Sequence, residues 1–304
     1  MVVSLLEVLV AVVAVNVTVG PVARRLPPRS QAVMVTGAAV GSALSWLSVL
    51  AVLAAPLLLR PPAVRALIGL PTKGLEVRHP LPPAVSALAT AALGATLLWL
   101  AVVARRRWPA ARELWRLSRR PARTVDGVAV VRSDQAFAVA LPGCPGRVVV
   151  SSAMFAALDG DERRVLLAHE RCHLRSGHYL FRWATRLAAA VFPPAQRLVA
   201  DCDFALERWA DERAAAAVGD RRIAARALVR AALAALAPVA GVLAFPASAV
   251  TRRVAALRAP PPKMRWLSLT WLGLLAVASA LAGLSAGHNT HILEEVAKRA
   301  SSRP

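Results

Sequence analysis

His169, Glu170 and His173 form an HExxH pattern in the second half of the chain. Positions four apart on a helix leave the same face about one turn apart, so both imidazoles can reach a single tetrahedral ion. A carboxylate beside such an ion can take a proton from a water that the ion acidifies, and the two together yield a hydrolytic nucleophile. The bare pattern also arises by chance in helices that carry two ordinary histidines. The flanking residues must therefore supply a helix and a third ligand.

Both can be found. Asp159 can accept from the free amides of a first helical turn while Glu162, three residues on, reaches back in a capping box, so a helix is expected to start just before the motif. Two-histidine sites need a third protein ligand, commonly a glutamate on a separate helix, with the fourth position left to water. From Ala195 to Ala217 helical spacing sets Leu198, Cys202, Ala205, Leu206, Trp209 and Ala210 in an apolar stripe. The same segment carries Glu207-Arg208-Trp209-Ala210-Asp211. Glu207 suits the third metal ligand. Asp211, one turn later, can accept from the outer N–H of a ligand histidine and fix its tautomer.

Other ligands fit less well. A metzincin would need glycine at Ser176 and histidine at Tyr179, whereas this chain has Gly177 and His178, each one place off. His178 then reads as a structural residue at a helix end, although His178, Tyr179 and the neighbouring arginines are all available to steady an oxyanion. Cys172 reads as a small buried side chain. Cys144, Cys172 and Cys202 make an odd set with no close pairing motif, which suits a reducing compartment. Nothing closes the fourth coordination position with an evident cysteine or histidine, so an open site is favoured over a structural metal in a receptor or scaffold.

With 57% hydrophobic residues over 304 positions and a mean hydropathy of +0.52, the chain is too apolar for an ordinary soluble domain. Val2 to Gly20, Gln31 to Leu59, Pro83 to Ala104 and Trp266 to Gly287 are each long enough to cross ~30 Å of hydrocarbon. The first lacks the basic start of a signal peptide and is expected to be an anchor. The net charge of +21 would point to nucleic acid in a soluble protein. Here Arg105, Arg106, Arg107, Arg112, Arg116, Arg119, Arg120 and Arg123 crowd behind the third apolar stretch with Trp108 and Trp115 among them, the pattern of a cytoplasmic membrane-surface collar. Arg24, Arg25 and Arg29 place the first loop on the same side, the amino terminus outside, and 60–82 in an external loop whose basic residues are fewer and more dispersed. No direct contact with nucleic acid is expected.

Thr124 to Ser152 is β-rich, with breaks at Ser133-Asp134 and at Pro142-Gly143-Cys144-Pro145-Gly146, and is expected to form a small antiparallel sheet. A sheet edge ahead of an HExxH helix can hold an extended peptide by strand addition. Ser152 to Leu158 should be a short helix. Residues 231–250 lack charge but are alanine-rich and interrupted by Pro238, Gly241 and Pro246, so they are expected to be a soluble or membrane-skimming helical segment rather than a further span. The expected fold is a polytopic α-helical membrane protein with an inserted, mainly helical α+β domain. Its parts are three spans in 1–104, the arginine-rich segment 105–123, the metal-site domain 124–262, a final span in 263–287 and a tail at 288–304. No internal repeats are visible.

In order, A-F-A-V-A-L-P-G, R-V-V-V-S-S, L-L-A-H-E-R-C-H-L-R-S-G-H and E-R-W-A-D resemble the BlaR/MecR-type antirepressor membrane metallopeptidases, and the likeness covers most of the chain. It implies a gluzincin-like zinc endopeptidase domain facing the cytoplasm of a bacterial cell membrane. His169, His173 and Glu207 would bind zinc, Glu170 would be the general base and Asp211 would support the site. The implied partner is a winged-helix repressor similar to BlaI or MecI, inactivated by cleavage. Family members that sense β-lactams carry a large penicillin-binding domain, whereas only 17 residues follow the last apolar stretch and no Ser-x-x-Lys occurs, so covalent β-lactam sensing is not expected. A quality-control membrane protease similar to HtpX shares HExxH and a downstream glutamate motif, and is the alternative.

Overall fold

The computed structural model describes residues 2–67, 82–119, 124–125, 127–143, 146–236 and 247–260. The chain opens with helices α1 (Val2–Ala23), α2 (Pro28–Leu58), the short α3 (Pro62–Leu67) and α4 (Pro83–Arg119). Pro28 is the first residue of α2, where a missing N–H is tolerated because it would have no helical partner. Within α4 the apolar stretch runs without a break into the arginine collar; Pro109 lies inside the helix, removing one hydrogen bond without ending it. Pro28–Leu58 and Pro83–Arg106 are long and apolar enough to cross a membrane, and Val10–Ala23 is a shorter apolar helix. On α4, Leu88, Leu97, Leu98 and Trp99 are exposed. The expected last span at 263–287, the tail at 288–304, Cys144, and Lys73 and Arg78 of the expected external loop lie outside the described residues.

A four-stranded sheet follows: β1 (Thr124–Val125), β2 (Val128–Val131), β3 (Ala138–Leu141) and β4 (Arg147–Ser151), in the order β1-β2-β4-β3. It is not purely antiparallel as the sequence predicted. β3 and β4 form an antiparallel pair, but β2 lies along the other side of β4 in parallel register, Val128 opposite Val148 and Val130 opposite Val150. The physical reason is the chain path: it reverses between β2 and β3 and again between β3 and β4, so β2 and β4 run the same way, and with β4 placed between the other two, Val128, Val148 and Val150 share one core with Met154 and Leu158. This order leaves β3 at an edge of the sheet.

The remaining helices are α5 (Ser152–Ala157), α6 (Gly160–Arg175), α7 (His178–Val191), α8 (Gln196–Val218), α9 (Arg221–Leu236) and α10 (Ala247–Arg258). Helix α6 starts on the expected capping box: the Glu162 amide donates to Asp159 Oδ1 at 2.9 Å and the Asp159 amide donates to Glu162 Oε2 at 3.1 Å. Glu162 is fully buried and also accepts from Arg226 at 2.9 Å and Arg230 at 2.8 Å, tying the start of α6 to α9. Replacing Glu162 by alanine is expected to remove about 2–3 kcal/mol of stability, because it deletes half of the cap and both arginine bonds together. Arg226 and Arg230 are about half exposed and can turn to water, so neither charge would be stranded. Thermal unfolding of the solubilised chain would show the loss, and an unchanged melting temperature would contradict it.

The described parts of 231–250 belong to two helices, α9 and α10, packed against each other. Val165, Ala214, Ala215, Ala224 and Leu257 form the core that joins α6, α8, α9 and α10. Arg221 caps the far end of α10, donating to the carbonyls of Leu257 and Ala256 at 2.9 Å each and of Ala259 at 3.1 Å, while it pairs with Glu212 on α8.

The apolar amino-terminal helices are not packed apart from these. A single core cluster combines Val19, Ala32, Val35, Ala39 and Ala43 with Ala188, Leu198, Cys202 and Leu206. The small residues along the first half of α2 let α7 and α8 approach closely, and the Thr36 hydroxyl lies 3.1 Å from that of Thr185. At the other side of this seam Arg24 pairs with Asp201 at 3.1 Å, and Asn16 donates to Ser42 at 2.6 Å.

Candidate metal centre

His169 and His173 leave α6 one turn apart, and Glu207 comes from α8, which packs beside it. His169 Nε2 and His173 Nε2 are 3.1 Å apart. Glu207 Oε2 lies 3.5 Å from the first and Oε1 lies 3.6 Å from the second. Zinc holds such donors at about 2.0–2.1 Å, which places tetrahedral ligands about 3.3 Å from one another. The three separations bracket that value. All three donors also lie within 4.8 Å of one another as a group. Two neutral nitrogens and a carboxylate are the donor chemistry of an open zinc site, so the residues fit the ion.

Around this trio the tertiary structure adds three side chains to which the sequence assigned no such role. Asp211 stands 3.1 Å from His169 Nδ1, so the ring donates outward and keeps Nε2 for the centre. Asp211 is itself gripped by Arg253 of α10, which donates from Nε at 2.8 Å and Nη2 at 2.7 Å. The third nitrogen of Arg253 lies 3.0 Å from Glu207 Oε2, and Arg182 of α7 donates to Glu207 Oε1 at 2.5 Å. His178, read from sequence as structural, is buried with Nδ1 2.8 Å from His173 Nδ1. Arg253 is 42 residues from Asp211. No local spacing links the two, and the Arg252-Arg253 pair in an alanine-rich helix carries no motif. Cys172 is buried and free beside Ser176, away from the trio, and Cys202 is likewise buried and free in the α2–α8 core.

The electrostatics separate the two histidines. Burial alone would depress both rings. For His169 the Asp211 and Glu207 carboxylates outweigh it and hold the pKa up at about 10. His173 has burial and the charge of His169 against it, and falls to about 3. Burial works to raise Glu207 and Asp211 too, but the hydrogen bond to His169 keeps Glu207 well below its ordinary value and the Arg253 bond does the same for Asp211. Glu170 goes the other way: burial lifts its carboxyl, and the His169 charge and the Ala140 amide on β3 only partly offset this.

One consequence is proton-linked metal binding. The metal-free centre holds its proton on His169, and a coordinating nitrogen cannot keep it, so the ion must displace it. Because His169 stays protonated up to about pH 10, zinc affinity is expected to rise with pH, by about tenfold per unit between roughly pH 6 and 8. Competition with a chelator of known pH dependence would measure this, and a flat profile would contradict it.

A cavity of about 310 Å³ adjoins the centre. Its lining includes His169, Glu170 and Glu207, Ala136 and Phe137 just ahead of β3 with Ala138 at its start, and an apolar part, here its floor, made by Leu166, Ala227, Leu228 and Ala231. A sheet edge, a partly buried carboxylate of raised pKa and a two-histidine, one-glutamate cluster on two helices are together the parts that a metallopeptidase site requires. Residues 106–253, which contain every one of these groups, match the model of peptidase family M48. The matched stretch is just under half of the chain, and it is similar to a family of peptidases that are typically metal-dependent, with zinc the usual ion. No curated protein and no solved structure matches the chain.

Proposed function

We propose that the chain is a membrane-bound zinc endopeptidase in which His169, His173 and Glu207 hold the ion, Glu170 is the general base and Asp211 fixes the His169 tautomer. The observation that carries this is the position of Glu170 between the three-donor cluster and the free edge of β3. Zinc bound there would acidify water and polarise a peptide carbonyl. Glu170, neutral more readily than an exposed glutamate, accepts the proton of the attacking water and returns it to the leaving amine nitrogen. The β3 edge offers backbone groups to an extended segment of substrate, and the apolar floor of the cavity accepts one of its side chains. Arg182 and Arg253 bond the two oxygens of Glu207 and hold its carboxylate toward the histidines.

The apolar helices would make it a multi-pass protein with the peptidase domain on the cytoplasmic side, as the arginine collar supports. Within that setting the resemblance to BlaR/MecR-type proteins supports a regulatory substrate, a winged-helix repressor inactivated by cleavage. Quality control in the manner of HtpX is the second reading. The apolar cavity floor favours it, because chains that have lost their fold expose the side chains such a floor accepts. Comparison of protein amino termini in cells carrying the wild type and Glu170→Gln distinguishes these. One new terminus in a repressor supports regulation, many termini in membrane proteins support quality control, and identical sets of termini would overturn peptidase function.

A further inference from the structure

Building on the metal site proposed above, we infer that His178 positions the ligand His173, and that His178 is held in turn by a stack leading through Trp209 and Arg29 to the start of α2. Gly177 sits at φ 62°, a left-handed turn that a residue with a Cβ adopts only with strain. This turn ends α6 and folds the first residue of α7 back over its last turn. His178 consequently lies with its ring edge-on to His173, centroids 4.7 Å apart and planes at 85°.

The hydrogen-bond sense follows from the neighbours. His173 Nε2 points at His169 Nε2 and Glu207, so the proton of a neutral ring sits on Nδ1 and is donated to His178 Nδ1. His178 must then carry its own proton on Nε2. That nitrogen is buried and has no hydrogen-bond partner. An orphaned buried donor is unfavourable, and a ring placed only for packing would gain by turning it outward. The orientation instead serves the other nitrogen. The two ligand histidines are thus treated alike, each offering Nε2 inward and Nδ1–H outward, to Asp211 for His169 and to His178 for His173.

Behind His178 lies the Trp209 indole, centroids 4.7 Å apart, with the Phe181 ring against the same indole at 6.1 Å. The Arg29 guanidinium of the first turn of α2 stands 5.7 Å from the indole centroid. Arg29 is followed by Ala32, Val35 and Ala39, which are packed into the core with Leu198, Cys202 and Leu206 of α8. A shift of α2 along α8 would move the cation off the indole and loosen the ring that holds His173. The stack is a physical link between an apolar helix and the metal centre.

The test uses the full chain in detergent micelles, with zinc affinity read by chelator competition and ligand geometry read from the visible spectrum of the cobalt-substituted protein. His178→Phe keeps a ring without an acceptor; it should bind zinc about 10–100-fold more weakly and alter the cobalt spectrum. His178→Asn, which puts an oxygen near the Nδ1 position, should restore both close to wild type. Arg29→Ala should weaken zinc binding in the wild type and have no added effect in His178→Phe, the non-additivity expected of one connected unit. Wild-type affinity and spectrum in His178→Phe, or no rescue by His178→Asn, would overturn the positioning role, and additive losses would overturn the stack. Should His178→Phe not fold, ¹⁵N-histidine spectra of the zinc-loaded wild type decide: a proton on His178 Nε2 supports the inference and one on Nδ1 overturns it. A wild type that binds neither zinc nor cobalt would instead refute the metal site itself.

Discussion

Glu170→Gln is expected to lower peptide cleavage by about 10²–10⁴-fold while zinc content and melting temperature stay at wild-type values. The variant isolates proton transfer because glutamine keeps the shape and can still accept from the Ala140 amide, but cannot take a proton from water. The size of the effect follows from the environment. Burial raises the Glu170 carboxyl above the ordinary glutamate range, closer to the operating pH, where a group can both accept a proton and release it. The sign for pH follows as well. Below its raised pKa Glu170 is protonated and cannot act as base, so the acid limb of kcat/KM should lie at higher pH than a free glutamate would place it, and Glu170→Gln should lack that limb. Cleavage by Glu170→Gln at the wild-type rate would remove Glu170 from the mechanism.

The second large effect is expected at Glu207. Loss of an outer partner of a ligand histidine typically lowers metal affinity about 10–100-fold, so Asp211→Asn should retain zinc at reduced affinity. Glu207→Gln should go further and leave the purified chain without zinc after dialysis. It replaces a charged donor with a weaker, neutral amide oxygen, and it removes the carboxylate that Arg182 and Arg253 hold in place. Arg253 keeps its bonds to Asp211 and Arg182 its pair with Asp203, so the loss comes from removing the negative charge that faces the divalent cation. Metal analysis of the three proteins side by side checks the order wild type, Asp211→Asn, Glu207→Gln. Full zinc content in Glu207→Gln would exclude it as the third ligand.

Some of this was legible because it depends on short-range geometry. The capping box at Asp159 and Glu162 starts α6 where the sequence predicted, and the four-residue spacing puts His169 and His173 on one face. The apolar stripe of α8 predicted which side of that helix is buried, and the one-turn spacing of Glu207 and Asp211 puts both on one face of it. The sheet was half legible: strands were marked by β-branched runs and turn residues, but their pairing was not. β2 joins β4 in parallel because β4 lies between β2 and β3 in the sheet, and alternation within a strand does not carry the order of strands.

His178 shows the boundary most clearly. Its sequence position, after a glycine at the end of a helix, fits a structural histidine equally well; the positive φ at Gly177 and the Trp209 ring behind it aim its Nδ1 at His173. Arg253 and Arg182 belong to the same class. The sequence by itself determined that His169 and His173 share one helix face, the cap of that helix, and the placing of Glu207 and Asp211 one turn apart, since each is set by contacts within four residues. Only the tertiary structure decided what surrounds them, the two arginines on Glu207, the histidine behind His173 and the stack reaching α2. Those groups come from α2, α7 and α10, and they meet only because burial of the alanine-rich faces brings the helices together.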